Sequence, residues 1–268
     1  MKTEKNLTPD HYDTLWREIY GDQQQYGPVH RHMRRLLAGI LAGISYRSVI
    51  DVGCGRGDNL PLIFAGRKPV QYTGIDISRV AISWNRRHFP PVPVRLCRTY
   101  GVSNLTFKKP RRSRGVLTGN FQCLDIERDY LRQKADLVFC SLLLEHVARD
   151  RRVIGHLRRM CRKWLVVTTI AGEMTRYRRH EKMMGHLRNY RPGELEEKLA
   201  QAGFRLVKVL RWGFPFYSPL VRYFSSFKRI KHRFSFADKL AAQLLYWLYY
   251  LNTSRRGDLL IILAKAED

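Results

Sequence analysis

The stretch VIDVGCGRGD, Val49 to Asp58, decides the fold. Its first half is a short β-branched apolar run, the composition of a strand buried on both faces. Its second half, Gly53-Cys54-Gly55-Arg56-Gly57, is a glycine-rich bend, and Asn59 to Ala65 carries the pattern of a following helix. Strand, tight turn and helix in this order let a ligand approach the backbone N–H groups at a helix N-terminus. A dinucleotide fingerprint would need glycine at position 58, where this chain has Asp58. About twenty residues further on, a second apolar run ends in Gly74-Ile75-Asp76, which puts a carboxylate where ribose hydroxyls would be met. The pattern implies an adenosine without a pyrophosphate.

Runs of the same kind recur along the chain. Strands are expected at Ser48 to Val52, Gln71 to Ile75, Phe121 to Leu124, Asp136 to Ser141, Trp164 to Thr169, Phe204 to Leu210 and Leu259 to Ala264. Helical patterns fit between them at Asn59 to Ala65, Ser78 to His88, Arg151 to Cys161 and Pro192 to Ala202, with another ahead of the first strand at Gly27 to Ile44. This alternation is that of an α/β protein built on a parallel sheet.

At 268 residues, with 44% hydrophobic and 27% charged residues, the chain can bury an ample core and is not a disordered polymer. The net charge of +26 implies attraction to something anionic: nucleic acid, an acidic membrane surface or phosphorylated substrates. Five scattered cysteines without a C-x-x-C pair read as core thiols of a reducing compartment, and no metal site is expected. The stretch MKTEKNLTPDHYDTLW has no signal-like apolar run, and no segment approaches a membrane-spanning length. The expectation is a cytoplasmic protein, soluble or peripheral on the inner face of the membrane.

Four features together resemble the class I S-adenosylmethionine-dependent methyltransferases: VIDVGCGRGD as the first motif, YTGIDIS with the second-strand acid, QCLDIE with the third-strand acid, and DLVFCSLLLEHVARD as the fourth strand and its loop. The resemblance covers Ser48 to about Phe204. It implies a Rossmann-like, seven-stranded, mostly parallel sheet with helices on both faces, an antiparallel last strand and insertions, in a single domain over residues 1–268 with an N-terminal helical cap at 1–47. It implies that S-adenosylmethionine is the methyl donor. Gly53, Gly55 and Gly57 would line its methionine part and Asp51 would support its amino group through water. Asp76 would hold the ribose, Asp125 and the Ile126 backbone would lie at the adenine edge, and Ser141 and Leu142 would face the sulfonium. The interval between Asp76 and Asp125 is about double that of the family. A third strand at Val92 to Cys97 would remove the adenine carboxylate, so both placements stay open.

Three insertions exceed what the fold needs. The first, at 90–119, is basic: from Arg79 to Leu124 there are ten Lys or Arg and no acid. It enters the third strand from a helix, so it belongs at the edge away from the ligand. It is either a solvated loop or a dock for an anionic partner. The others, at 171–191 and 211–257, follow the carboxyl ends of the fifth and sixth strands and are expected over the donor as the acceptor pocket. In the first of these, His186, Tyr190, His180 and Tyr177 are candidates to bind or deprotonate a nucleophile. His146, in the LLLEHV turn, is read as orienting its loop.

In the last insertion Leu220, Phe224, Phe227, Ile230 and Phe234 recur at helical spacing, with Arg222, Lys228, Arg229, Lys231, His232 and Arg233 on other faces. FADKLAAQLLYWLYYLN follows as a second apolar helix, and no acid occurs from Lys198 to Ala237. Residues 220–251 could meet an anionic membrane surface or pack on the sheet. The leading expectation is methyl transfer to a small-molecule or amphiphilic, lipid-like acceptor. RNA is the alternative acceptor, although Ser141-Leu142-Leu143-Leu144 stands where a base-amine methyltransferase would carry an N-P-P-Y-type tetrapeptide. A non-catalytic protein that only binds the donor is a further reading.

Overall fold

The structure is a computed structural model that describes residues 8–65, 70–89, 118–177, 181, 184–225 and 233–267. Three helices come first: α1 (Pro9–Glu18), α2 (Asp22–Tyr26) and α3 (Pro28–Ala42). The alternating part follows as β1 (Ser48–Val52), α4 (Leu60–Phe64), β2 (Gln71–Asp76), α5 (Arg79–His88), β3 (Thr118–Cys123), β4 (Ala135–Ser141), α6 (Asp150–Met160), β5 (Cys161–Ile170), α7 (Glu194–Gln201) and β6 (Phe204–Trp212). A short π-helical turn at Phe216–Val221 leads into α8 (Arg222–Ser225), then α9 (Phe236–Leu248) and β7 (Leu259–Ala266).

The seven strands lie in the order β3-β2-β1-β4-β5-β7-β6. Strands β1 to β5 pair in parallel, and β7 runs against both β5 and β6. The expected α/β sheet with an antiparallel last strand is therefore the one observed. Because β1 is flanked by β2 on one side and β4 on the other, the direction of winding reverses there. That reversal opens a crevice at the carboxyl ends of the two strands.

Successive side chains on a strand point to opposite faces, and both faces here are covered. On β4, Leu137 and Phe139 join the core beneath α3, α4 and α5, while Val138 and Cys140 join Val153 and Leu157 of α6 and Leu195 and Leu199 of α7. Local signals place the helix starts. Thr8 caps α1 with Pro9 at its first turn, the Ser78 hydroxyl accepts the Ala81 N–H at 3.1 Å, and Ser235 and Asp238 form a reciprocal capping box on α9.

The third strand is Thr118–Cys123, so Asp125 does follow it; residues 90–117, and with them the Val92 to Cys97 alternative, lie outside the described residues. Two expectations are corrected. Cys123 is exposed rather than a core thiol. Arg222, expected on a cationic face of an amphipathic helix, is 2% exposed, because two carboxylates take its guanidinium into the interior. Residues 226–232 of that stretch are outside the described set.

Candidate active site

Where β1 ends, the glycine turn folds over the end of β2. The N–H groups of Gly53 and Cys54 donate to the Ile75 carbonyl at 2.8 and 3.0 Å, and that of Gly55 donates to Asp76 Oδ2 at 2.9 Å. Gly53 and Gly55 have φ of +72° and +53°, the left-handed region that glycine enters without penalty. A Cβ at Gly55 would collide with the Trp16 indole of α1, which lies across the turn. Asp76 Oδ1 accepts the Ser78 N–H at 2.8 Å. Burial raises the Asp76 carboxyl above its ordinary value, against the pull of the two N–H donors.

Above this turn lies a cavity of about 910 Å³, near the upper end of the size range of ligand pockets. Gly53, Gly55, Asp76, Asp125, Ile126, Ser141 and Leu142 line it, while Tyr12, Trp16 and Tyr20 form part of its roof. Asp125 has protein partners on both oxygens: Oδ1 accepts the Glu127 N–H at 2.9 Å, and Oδ2 pairs with Arg128 at 3.2 Å. Leu142 stands at φ +52°, held by its N–H to the Thr168 carbonyl at 2.8 Å. Left-handed backbone at a bulky residue is strained, and such strain gathers at binding sites.

Two of the expected donor residues lie beneath the cavity rather than in its lining. Gly57 packs toward Leu60 and Phe89. Asp51 is 1% exposed; its Oδ2 accepts the Tyr72 hydroxyl at 2.8 Å, and its Oδ1 has no hydrogen-bond partner among the described residues. Burial pushes the Asp51 carboxyl up to about 7, despite the Tyr72 hydrogen bond.

Residues 25–209 match the family model described as a methyltransferase domain. The chain belongs to this methyltransferase family. No curated protein matches it in sequence. Among solved structures it is similar to the N-methyltransferase NodS from Bradyrhizobium japonicum WM9, solved with S-adenosyl-L-homocysteine (TM-score 0.57, 14% identity, 96% of this chain and 98% of that one). It is also similar to the magnesium protoporphyrin IX methyltransferase from Synechocystis PCC 6803 with the same compound bound (TM-score 0.52, 16% identity, 89% and 83%). A third likeness is to the cyclase SpnF (TM-score 0.53, 19% identity, 89% and 82%). At these identities the likeness is one of fold, and a cyclase among the three shows that chemistry has to be read from the site.

The methyl donor of the class is S-adenosylmethionine, and the residues of this methyltransferase fit it. Gly53, Gly55 and Asp76 border the cavity, and Asp51, beneath the turn, keeps a buried Oδ1 with no hydrogen-bond partner among the described residues.

The opposite wall comes from the loop after β4 and from the insertions at 171–191 and 211–257. His186 lines the cavity, and its Nδ1 is hydrogen-bonded to the Glu181 carboxylate. Glu181 is fully buried and pairs with Arg222, which also reaches Asp258 Oδ2 at 2.7 Å. Beside His186 stands His146, ring centroids 4.8 Å apart, with Nδ1 at 3.2 Å from the Gly185 carbonyl. Burial pushes His146 down to about 3, so its imidazole is neutral at physiological pH. Glu145, fully buried, accepts the Thr169 hydroxyl at 2.7 Å, and burial raises its carboxyl.

Of the candidate acceptor residues, His186 alone among those described reaches this wall. Tyr190 is fully buried away from the cavity, its hydroxyl bonded to Asp150 Oδ2 at 3.0 Å and the Leu144 carbonyl at 3.4 Å. Tyr177 is buried under the Arg222 guanidinium, and His180 lies outside the described residues. Sequence reasoning missed Glu181 and the buried Arg222, and read the Glu145-His146 pair chiefly as orienting its loop. The available signals were the adjacent Glu145-His146 pair and an acid five positions before His186.

Proposed function

We propose that this protein is an S-adenosylmethionine-dependent methyltransferase whose acceptor is a small amphiphilic molecule met at an anionic membrane surface. One observation carries the acceptor part: α9 has two working faces. Ala241, Ala242 and Leu245 border the cavity. On the outside, Phe236, Leu240, Leu244, Trp247 and Leu251 form one stripe at helical spacing, and Leu244 is 63% and Phe236 84% exposed. A helix that walls a pocket and also offers an apolar stripe to the outside would let an acceptor keep its tail in lipid while its head enters the cavity. The net charge of +26 supplies attraction to acidic headgroups, worth about 1 kcal/mol per cation near such a surface. No helix among the described residues is long and apolar enough to cross a membrane, so the contact would be peripheral.

Bound donor supplies a methyl group already activated for in-line displacement, so the chain's own task is alignment and exclusion of water. Trp16 and Tyr12 would close the donor side from above. Glu145, His146 and His186 would face the acceptor's head group. The RNA alternative would use the same face, where Trp247 stacks on the exposed Tyr250 and the Arg35 guanidinium lies over the Tyr250 ring.

The test is sedimentation with phosphatidylglycerol vesicles at physiological salt, then methyl transfer from labelled donor to extracted lipids. Wild type should co-sediment, and the Leu240→Glu/Leu244→Glu variant should bind at least tenfold more weakly with an unchanged melting temperature. Wild-type protein that ignores the vesicles, or label that enters only RNA, would overturn the acceptor reading.

A further inference from the structure

We propose that Glu145, His146 and His186 form a site for one divalent transition-metal ion on the acceptor wall. The ligand atoms of the three residues all lie within 4.8 Å of one another. They come from two segments held in register by hydrogen bonds: the Leu187 N–H donates to the Glu145 carbonyl at 2.8 Å, and the Arg188 guanidinium donates to the Ala148 carbonyl at 2.8 Å.

What distinguishes this cluster from an ordinary buried polar group is its outer layer. A metal-binding histidine gives its second ring nitrogen to a carbonyl or carboxylate, which fixes the tautomer and aims the lone pair of the first. Both histidines do so here, His146 Nδ1 toward the Gly185 carbonyl at 3.2 Å and His186 Nδ1 toward Glu181. In the neutral rings each Nε2 is then the unprotonated donor atom. Thr169 fixes Glu145 through Oε2 at 2.7 Å. The other oxygen, Oε1, is fully buried and has no hydrogen-bond partner among the described residues. An unsatisfied carboxylate oxygen in the interior is costly, and a cation beside two imidazoles would remove that cost.

Two imidazoles and one carboxylate suit Zn²⁺, Mn²⁺, Fe²⁺ or Co²⁺ and leave coordination positions open, unlike a closed structural site. All three residues line the cavity, so the open positions face the acceptor. The acceptor class that follows is one with an oxygen donor, a hydroxyl or carboxylate, whose polarisation the ion would favour. This deepens the reading of the same site without depending on the membrane contact.

The test is titration of metal-stripped full-length protein with Co²⁺, followed by visible absorption, with Zn²⁺ competition by calorimetry. One equivalent should bind. His186→Asn and Glu145→Gln should each weaken binding at least a hundredfold, and Thr169→Val, which leaves all three ligands in place, about tenfold. Far-ultraviolet circular dichroism and donor binding confirm that each variant is folded. Absence of Co²⁺ and Zn²⁺ binding by wild type, or affinity unchanged in both ligand variants, would overturn the proposal. Full methyl transfer by chelated, metal-free protein would remove the ion's catalytic part while leaving the methyltransferase reading intact; failure of vesicle binding alone would remove the membrane contact and leave both the ion site and the methyltransferase reading standing.

Discussion

Replacing Asp51 with asparagine should make the protein more stable at neutral and alkaline pH. The folded state holds the Asp51 carboxyl at about 7 against an ordinary value of 3.8, because burial opposes its charge more than the Tyr72 hydroxyl supports it. A raised acid binds its proton more tightly folded than unfolded. The unfolded chain therefore ionises first as pH rises, and stability falls from about pH 4 until the folded group also ionises near 7. At roughly 1.4 kcal/mol per pH unit, the interval from 3.8 to 7 corresponds to about 4 kcal/mol, of which about 2.5 kcal/mol falls between pH 5 and 8. An asparagine amide does not ionise, so the stability of Asp51→Asn relative to wild type should rise by that amount over the range. Urea denaturation of the two proteins at half-unit pH steps measures the difference directly. A difference that stays constant within about 0.5 kcal/mol would refute the assignment of a buried, poorly compensated carboxylate. Donor affinity should fall in the same variant, a stability sacrificed for a binding site.

Arg222→Met should cost about 3 to 5 kcal/mol in urea denaturation, since it takes their shared cation from Asp258 and the fully buried Glu181; a loss under 1 kcal/mol would contradict the network. Gly55→Ala should destabilise by about 2 to 4 kcal/mol through left-handed backbone and collision with Trp16, and Trp16→Ala in the same chain should relieve the collision part, so that the two changes couple favourably. Tyr190→Phe should lose about 1 kcal/mol of stability and keep kcat within about twofold, because its hydroxyl serves Asp150 and Leu144 away from the cavity; a hundredfold fall in kcat would return Tyr190 to the chemistry.

The sheet could be read from the chain because its strands are short β-branched runs buried on two faces. β1 begins and ends where Ser48 to Val52 was read, and β5 and β7 are longer only at their ends. The glycine turn and Asp76 were legible for the same reason: they are contiguous with strands whose position was already fixed. The roof was less so. Trp16 and Tyr12 belong to a helix with more polar than apolar positions, and only contact with the turn gives them a place. The acceptor wall was legible only as a region. Glu145, Glu181, Arg222 and Asp258 come from four separate segments, and an ion pair between residues 41 positions apart leaves no periodic trace. Arg222 misled most: its neighbours are cationic, and nothing local marks it as the arginine of that stretch that turns inward.

The interior position of β7 bears on the order in which the molecule can be made. Among the described residues β6 pairs only with β7, and β7 is the partner on which β5 closes its outer side. During synthesis, residues 204–212 therefore leave the ribosome with no strand to join until residues 259–266 follow. Two sheet edges stand open in the interval, those of β5 and β6. A nascent chain halted before Leu259 should be captured by chaperones or aggregate, whereas the half built on β1 to β4 can already be ordered. The segment that finishes the sheet also brings Asp258 to Arg222 and Leu259 to the cavity, so that side of the pocket waits for the end of the chain.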